Sequence, residues 1–103
     1  MPWFSGNETD LTLKKKHKLA EPEEFRVVML NDHYTTMDFV VEILMLIFGK
    51  GEDEANRIML DIHRKGRGVA GIYSWDIART KTEQVHAMAR QNEFPLRCVV
   101  EKN

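Results

Sequence analysis

Three short runs of strand-forming residues alternate with stretches of helical pattern, and the order in which they occur restricts the fold more than any other feature of the chain. Phe25-Arg26-Val27-Val28-Met29-Leu30 is rich in β-formers and predicts a first strand. Asn31-Asp32 ends it with side chains that bond nearby backbone in turns. Thr35, with Asp38 three residues on, predicts an N-cap close to a capping box. The helix that follows is expected from about Thr36 to Phe48, closed by Gly49. Only Asp38 and Glu42 are charged along it, so it is expected to be largely buried. After Lys50-Gly51, a second helix is predicted from Glu52 to Lys65. Its acids lead and its bases trail, matching the helix dipole, and Gly66 is the expected stop. Val69–Tyr73 predicts the second strand. Ser74 is placed to cap a third helix reaching about Asn92, and Leu96–Glu101 predicts the last strand after Pro95. The order β-α-α-β-α-β implies a small sheet with its helices on one face, an α+β fold.

The chain has 103 residues, enough for one domain with one modest core. Residues 25–103 form the expected core domain. Residues 1–24 hold Gly6, Asn7, a lysine-rich run and Pro22 with no sustained period, and are expected to be a flexible tail. The run Lys14-Lys15-Lys16-His17-Lys18 reads as a solvated stretch or as a contact patch. Trp3 and Phe4 have no assigned partner.

Net charge is −1, from 15 basic and 16 acidic residues, which argues against nucleic acid as the main partner. Cys98 is the one cysteine, so no internal disulfide forms. Its place in the alternation Leu96, Cys98, Val100 makes it a small packed hydrophobe, suited to a reducing cytoplasm. No apolar run of signal-peptide length occurs in residues 1–24. The longest apolar run, Ile43–Phe48, is six residues, too short to cross a bilayer. A soluble cytoplasmic protein with no membrane partner is expected.

Enzyme motifs are missing from the sequence. The histidines, His17, His33, His63 and His86, sit in no HExxH frame and at no zinc spacing, so no metal is expected. Gly66, Gly68 and Gly71 lack the context of a phosphate loop, and no cofactor is expected. His63 with Asp32 leaves open a small hydrolase with an acid–base pair. The binding alternative begins with Asn31 and Asp32, two acceptor-rich side chains at a chain reversal, which also suit a plain turn. Met37 and Val40 lie one helical turn apart. Met59, Ile62 and His63 follow an i, i+3, i+4 pattern that serves a binding face or core packing.

Several separate motifs, in order from Phe25 to Lys102, resemble the ClpS adaptor family. They are Asn31-Asp32-His33-Tyr34-Thr35-Thr36-Met37-Asp38-Phe39-Val40, Met59-Leu60-Asp61-Ile62-His63 with Gly66, Ala78-Arg79-Thr80-Lys81, Pro95-Leu96-Arg97-Cys98 and Glu101-Lys102. The resemblance implies a three-stranded antiparallel sheet packed against three helices and a non-catalytic adaptor. Such an adaptor binds proteins beginning with Leu, Phe, Tyr or Trp and delivers them to a Clp-type AAA+ unfoldase for degradation. Carried over residue by residue, it implies Asn31, Asp32 and His63 around the substrate's α-amino group. Met37, Val40, Met59, Ile62 and Leu96 would form the side-chain pocket, with Thr35 supporting the loop or touching the peptide. Asp76 and Lys81 would contact the unfoldase's N-terminal domain, and residues 1–24 would act in delivery. The chain departs from the family pattern at His33, where Asp is usual, at Thr36, where Pro is usual, and at Arg79, where Glu is usual. The alternative from the same fold class is a general protein-interaction domain resembling the C-terminal domain of the ribosomal stalk protein.

Overall fold

The computed structural model describes residues 22–103. Phe25–Leu30 forms β1, the central strand of a three-stranded sheet. Arg67–Tyr73 (β2) and Arg97–Lys102 (β3) flank it, both antiparallel to it. Met37–Leu46 (α1), Glu52–Lys65 (α2) and Trp75–Gln91 (α3) complete the order β-α-α-β-α-β expected of the chain. Alternation along the strands sends Val27 and Met29 of β1 and Cys98 of β3 into one core. A bulge opposite Val27–Val28 leaves Ala70 without a partner on β1, and Ala70 is fully buried in that core. Phe39, Val40, Ile43 and Leu44 of α1, Ala55, Ile58 and Ile62 of α2, and Ala78, Val85 and Ala89 of α3 close over it. Residues 1–21, with most of the expected tail, lie outside the described residues.

Several local expectations are corrected. The N-cap of α1 is Thr36, not Thr35: Thr36 Oγ1 accepts from the Phe39 N–H at 3.1 Å. The cause is Asp32, whose carboxylate takes both the N–H and the hydroxyl of Thr35 and so delays the helix by one residue. At its other end α1 stops at Leu46 rather than Phe48. There the Lys81 ammonium of α3 donates to the Ile47 carbonyl at 2.7 Å, and the Lys50 N–H donates to Leu44 O with Gly49 at φ 66. Nor is α1 largely buried. It packs chiefly on α2, leaving Met37, Met45 and Leu46 exposed, Leu46 by 65%.

Two contacts position the site. Gly66, at φ 88, ends α2 in the left-handed conformation and turns the chain into β2, and the Asn31 N–H donates to its carbonyl at 2.9 Å. The end of β1 is thereby tied to the end of α2. Two residues on, α2 passes close over β2 at Gly68, where a Cβ would stand 2.8 Å from Ile62 Cγ1. β2 begins at Arg67, two residues before the expected Val69 start, and Gly68 leaves room for Ile58 and Ile62 of α2 to come close over it.

Candidate functional site

Where β1 runs out, Asn31 and Asp32 meet the first turn of α1 and the last turns of α2. Asn31, Asp32, His33, Thr35, Met37, Val40, Met59, Ile62 and His63 line one cavity of about 270 Å³. That is just under the small end, about 300 Å³, of ligand pockets in general, a size for one side chain rather than a whole cofactor. The polar groups stand on the β1–α1 turn and at the C-terminal end of α2. The apolar wall comes from α1 and from the i, i+3 face of α2. Helical spacing places Met59, Ile62 and His63 on a common face, and the Asn31–Gly66 bond brings the turn up to them.

Asp32 organises the turn. Its Oδ1 accepts from the Tyr34 N–H at 2.8 Å and the Thr35 N–H at 2.6 Å, and its Oδ2 accepts from the Thr35 hydroxyl at 2.7 Å. Partial burial pushes this carboxyl up, but the hydrogen bonds from the Thr35 backbone, the Thr35 hydroxyl and the Tyr34 backbone outweigh it. With the charge of His33 they hold it below its ordinary value, so the group is an anion at neutral pH. The three bonds leave one lone pair of Oδ2 open. Asn31 is exposed and keeps its side-chain oxygen, since its bond to Gly66 uses the backbone. His63 is also exposed. It shares the cavity with Asp32 but no hydrogen bond, so the acid–base pair left open by the sequence is not formed. Among the described residues no cluster of ligands for a metal occurs, and no helix is long and apolar enough to cross a membrane.

The expected site residues thus divide. Asn31, Asp32, His63, Met37, Val40, Met59 and Ile62 come together, and Thr35 joins them as the group that holds Asp32 rather than as an apolar wall. Leu96 does not line this cavity. It is 3% exposed and borders a second concavity beside His86 and Arg97, because β3 meets β1 on the side away from α2. His33, noted in the sequence only as a departure, lines the cavity. Asp76 is exposed in the first turn of α3. Lys81 is half-buried, 5.3 Å from the Tyr73 ring centroid and bonded to Ile47 O. Its first task is therefore to close α1, which no local sequence signal announces.

Comparison with known proteins shows what the chain is similar to. The family model described as "ATP-dependent Clp protease adaptor protein ClpS" matches residues 20–99. An ATP-dependent Clp protease adapter protein ClpS from Syntrophus aciditrophicus is 57% identical over 104 residues, covering 93% of this chain and 97% of its own. That of Wolinella succinogenes is 50% identical over 97 residues, covering 94% and 95%. The solved structure of Agrobacterium tumefaciens ClpS2 bound to L-phenylalaninamide is similar with a TM-score of 0.77 at 34% identity. It covers 80% of this chain and 99% of that one.

Proposed function

The chain belongs to the ClpS family of ATP-dependent Clp protease adaptor proteins, and on that premise we propose that it captures proteins by a free N-terminal Leu, Phe, Tyr or Trp and delivers them to a Clp-type AAA+ unfoldase. Adaptor function comes with the family, which is not a catalytic one. The finer reading rests on one observation: a single cavity carries an anionic, acceptor-rich mouth and an apolar wall.

An N-terminal ammonium brings three donors and a charge, and partial burial without acceptors is costly. The open lone pair of Asp32, the amide oxygen of Asn31 and a ring nitrogen of His63 supply one acceptor for each donor. An internal peptide bond has one N–H and no charge, so the same groups disfavour it and select a chain end. Behind them, Met37, Val40, Met59 and Ile62 take the first side chain. Burying a Leu or Phe there gains about 1.5–3 kcal/mol, and the unbranched methionines adapt to several shapes. After the costs of association the expected affinity is near micromolar, on the order of −8 kcal/mol. L-phenylalaninamide, bound by the Agrobacterium relative, is in chemical terms an N-terminal phenylalanine cut after its own carbonyl, which supports the same use of this cavity. Asp76 and Lys81 are assigned to the unfoldase's N-terminal domain, Lys81 with the donors that Ile47 leaves free.

The test is calorimetric titration with peptides that differ only in their first residue, coupled to degradation of a reporter by a Clp-type unfoldase and its protease. Leu, Phe, Tyr and Trp are expected to bind and to be degraded faster in the presence of the chain. Equal binding of peptides that begin with Ala or Lys defeats the pocket assignment. Binding without faster degradation defeats the delivery assignment.

A further inference from the structure

Arg90 and Arg97 stand at the rim of a second concavity, about 230 Å³, between the end of α3 and the start of β3. Ala89, Phe94, Pro95 and Leu96 line it with apolar surface. Both arginines are exposed, and neither forms an ion pair among the described residues. Glu93, the acid nearest in the chain, sits on the turn at φ 60 and pairs with neither. His86 adds no compensating charge. Its Nε2 accepts the Cys98 N–H at 3.0 Å, and burial, with the charges of Arg90 and Arg97 close by, holds its pKa below the ordinary value. The concavity therefore offers two permanent positive charges beside an apolar surface, with no ion-pair partner among the described residues.

A trough connects it to the first cavity. Leu30, Asn31, Asp32, Pro95 and Arg97 line this trough, which shares Asn31 and Asp32 with the first cavity and Pro95 and Arg97 with the second. Arg97 is the cross-strand partner of Leu30, the residue before Asn31. Partners in an antiparallel pair are about 4.5–5.5 Å apart, and an extended chain advances about 3.3 Å per residue. A peptide leaving the first cavity along the trough comes abreast of Arg97 within about three residues.

We propose that this concavity is a subsite for carboxylate side chains of the captured protein itself, an Asp or Glu about three to five residues from its N-terminus being held by Arg90 and Arg97. The inference rests on the N-terminus reading above and adds to it a preference beyond the first residue. An acid at the second residue falls beside Asp32 and is repelled, so the preference begins further along.

The test uses Phe-Ala-Ala-Ala-Ala-Ala amide and variants carrying one Glu or one Gln at residues two to six, titrated by fluorescence anisotropy against the parent and Arg90→Gln/Arg97→Gln. Glu in the middle positions is expected to bind about two- to fivefold more tightly than Gln, with the gain shrinking as salt rises. The all-Ala peptide is expected to bind parent and variant alike, and the Glu gain to vanish in the variant. Glu and Gln binding equally at every position overturns the inference, and so does a Glu gain that survives in the variant. An N-acetylated Glu peptide that binds the parent as well as its free-amine twin marks a free-standing anion site and overturns it too. If the all-Ala peptide fails to bind the parent, the N-terminus reading fails and this inference falls with it; if it binds and only the Glu gain is missing, this inference alone is lost.

Discussion

Replacing Gly68 by Ala is expected to damage the candidate site without altering any residue that lines it. The added Cβ meets Ile62 Cγ1 at 2.8 Å, Ile58 O at 3.4 Å and Ile62 N at 3.5 Å. The first distance is well inside the 3.5–4.0 Å of optimal carbon contact, while the two α2 backbone atoms stand at ordinary contact distance. Ile62 is 3% exposed and packed in the core, so relief comes from displacing its side chain together with the turn of α2 that carries it. Overpacking of this kind costs about 1–3 kcal/mol. Lower chain entropy in the unfolded state returns about 0.4–1 kcal/mol of that, so the clash wins. A net loss of about 1–2 kcal/mol lowers the melting temperature of a domain this small by on the order of 5–15 °C. The displaced helix carries Met59, Ile62 and His63 with it, and a loss of about 1 kcal/mol in their contacts weakens peptide binding about fivefold. Circular-dichroism melts and calorimetric titration with a Phe-initiated peptide read the two effects. The control is Ile62→Ala, which removes the clashing atom. In that background Gly68→Ala is expected to cost less than in the parent, by about 0.5 kcal/mol or more. Strictly additive costs, or an unchanged melting temperature, refute the close-approach argument.

Asp32→Asn is expected to cut peptide affinity at least about tenfold by removing the anion, and to loosen the turn in which the Asp32 carboxylate accepts from Tyr34 and Thr35. Because the folded pKa of Asp32 lies below the ordinary 3.8, its contribution to stability is present above that pH and lost as pH falls through the folded value. Melts from pH 6 down to pH 3 are expected to show the gap between parent and Asp32→Asn closing at the acid end; a constant gap contradicts this. His86 titrates in the other sense: its folded pKa is lowered from 6.5, so the unfolded chain takes the proton first and stability falls as pH drops below 6.5. His86→Gln is expected to flatten that slope between pH 7.5 and 5, and an identical slope removes His86 as its source. Burial pushes the Cys98 thiol up to about 12, so native protein at pH 8 is expected to react with a thiol reagent only as fast as it opens, and immediately once denatured. Rapid stoichiometric labelling of the native state contradicts that burial.

Features carried by local chemistry were legible in the sequence. Gly66 as the stop of α2, the acids and bases at the two ends of that helix, and the element order all follow from residues close together in the chain. The grouping of Asn31 and Asp32 with Met59, Ile62 and His63 was legible as two separate patterns, joined by the family resemblance. What the sequence hid depends on partners far away in the chain. Thr35 was expected to cap α1, but the Asp32 carboxylate claims its hydroxyl and Thr36 takes the cap instead. Lys81 closes α1 from 34 positions away. The exposure of Leu46 reflects which neighbour α1 packs against, which its apolar composition does not encode. The turn after α3 uses Glu93 in the left-handed conformation, where a glycine would have announced it. Leu96 was assigned to the pocket through the resemblance alone, and the position of β3 on the other side of β1 takes it to the second concavity.

The central claim is that the cavity reads a free α-amine together with the side chain behind it. One pair of calorimetric titrations addresses it: Phe-Ala-Ala-Ala-Ala-Ala amide with a free N-terminus, and the same peptide N-acetylated. Acetylation removes the charge and two of the donors while leaving the phenyl ring intact, and each charge-assisted hydrogen bond lost is worth about 1.5–3 kcal/mol. The free peptide is expected to bind near micromolar and its acetylated twin at least about a hundredfold more weakly. Equal affinities for the two would contradict the account, because Asn31, Asp32 and His63 would then have no amine to hold.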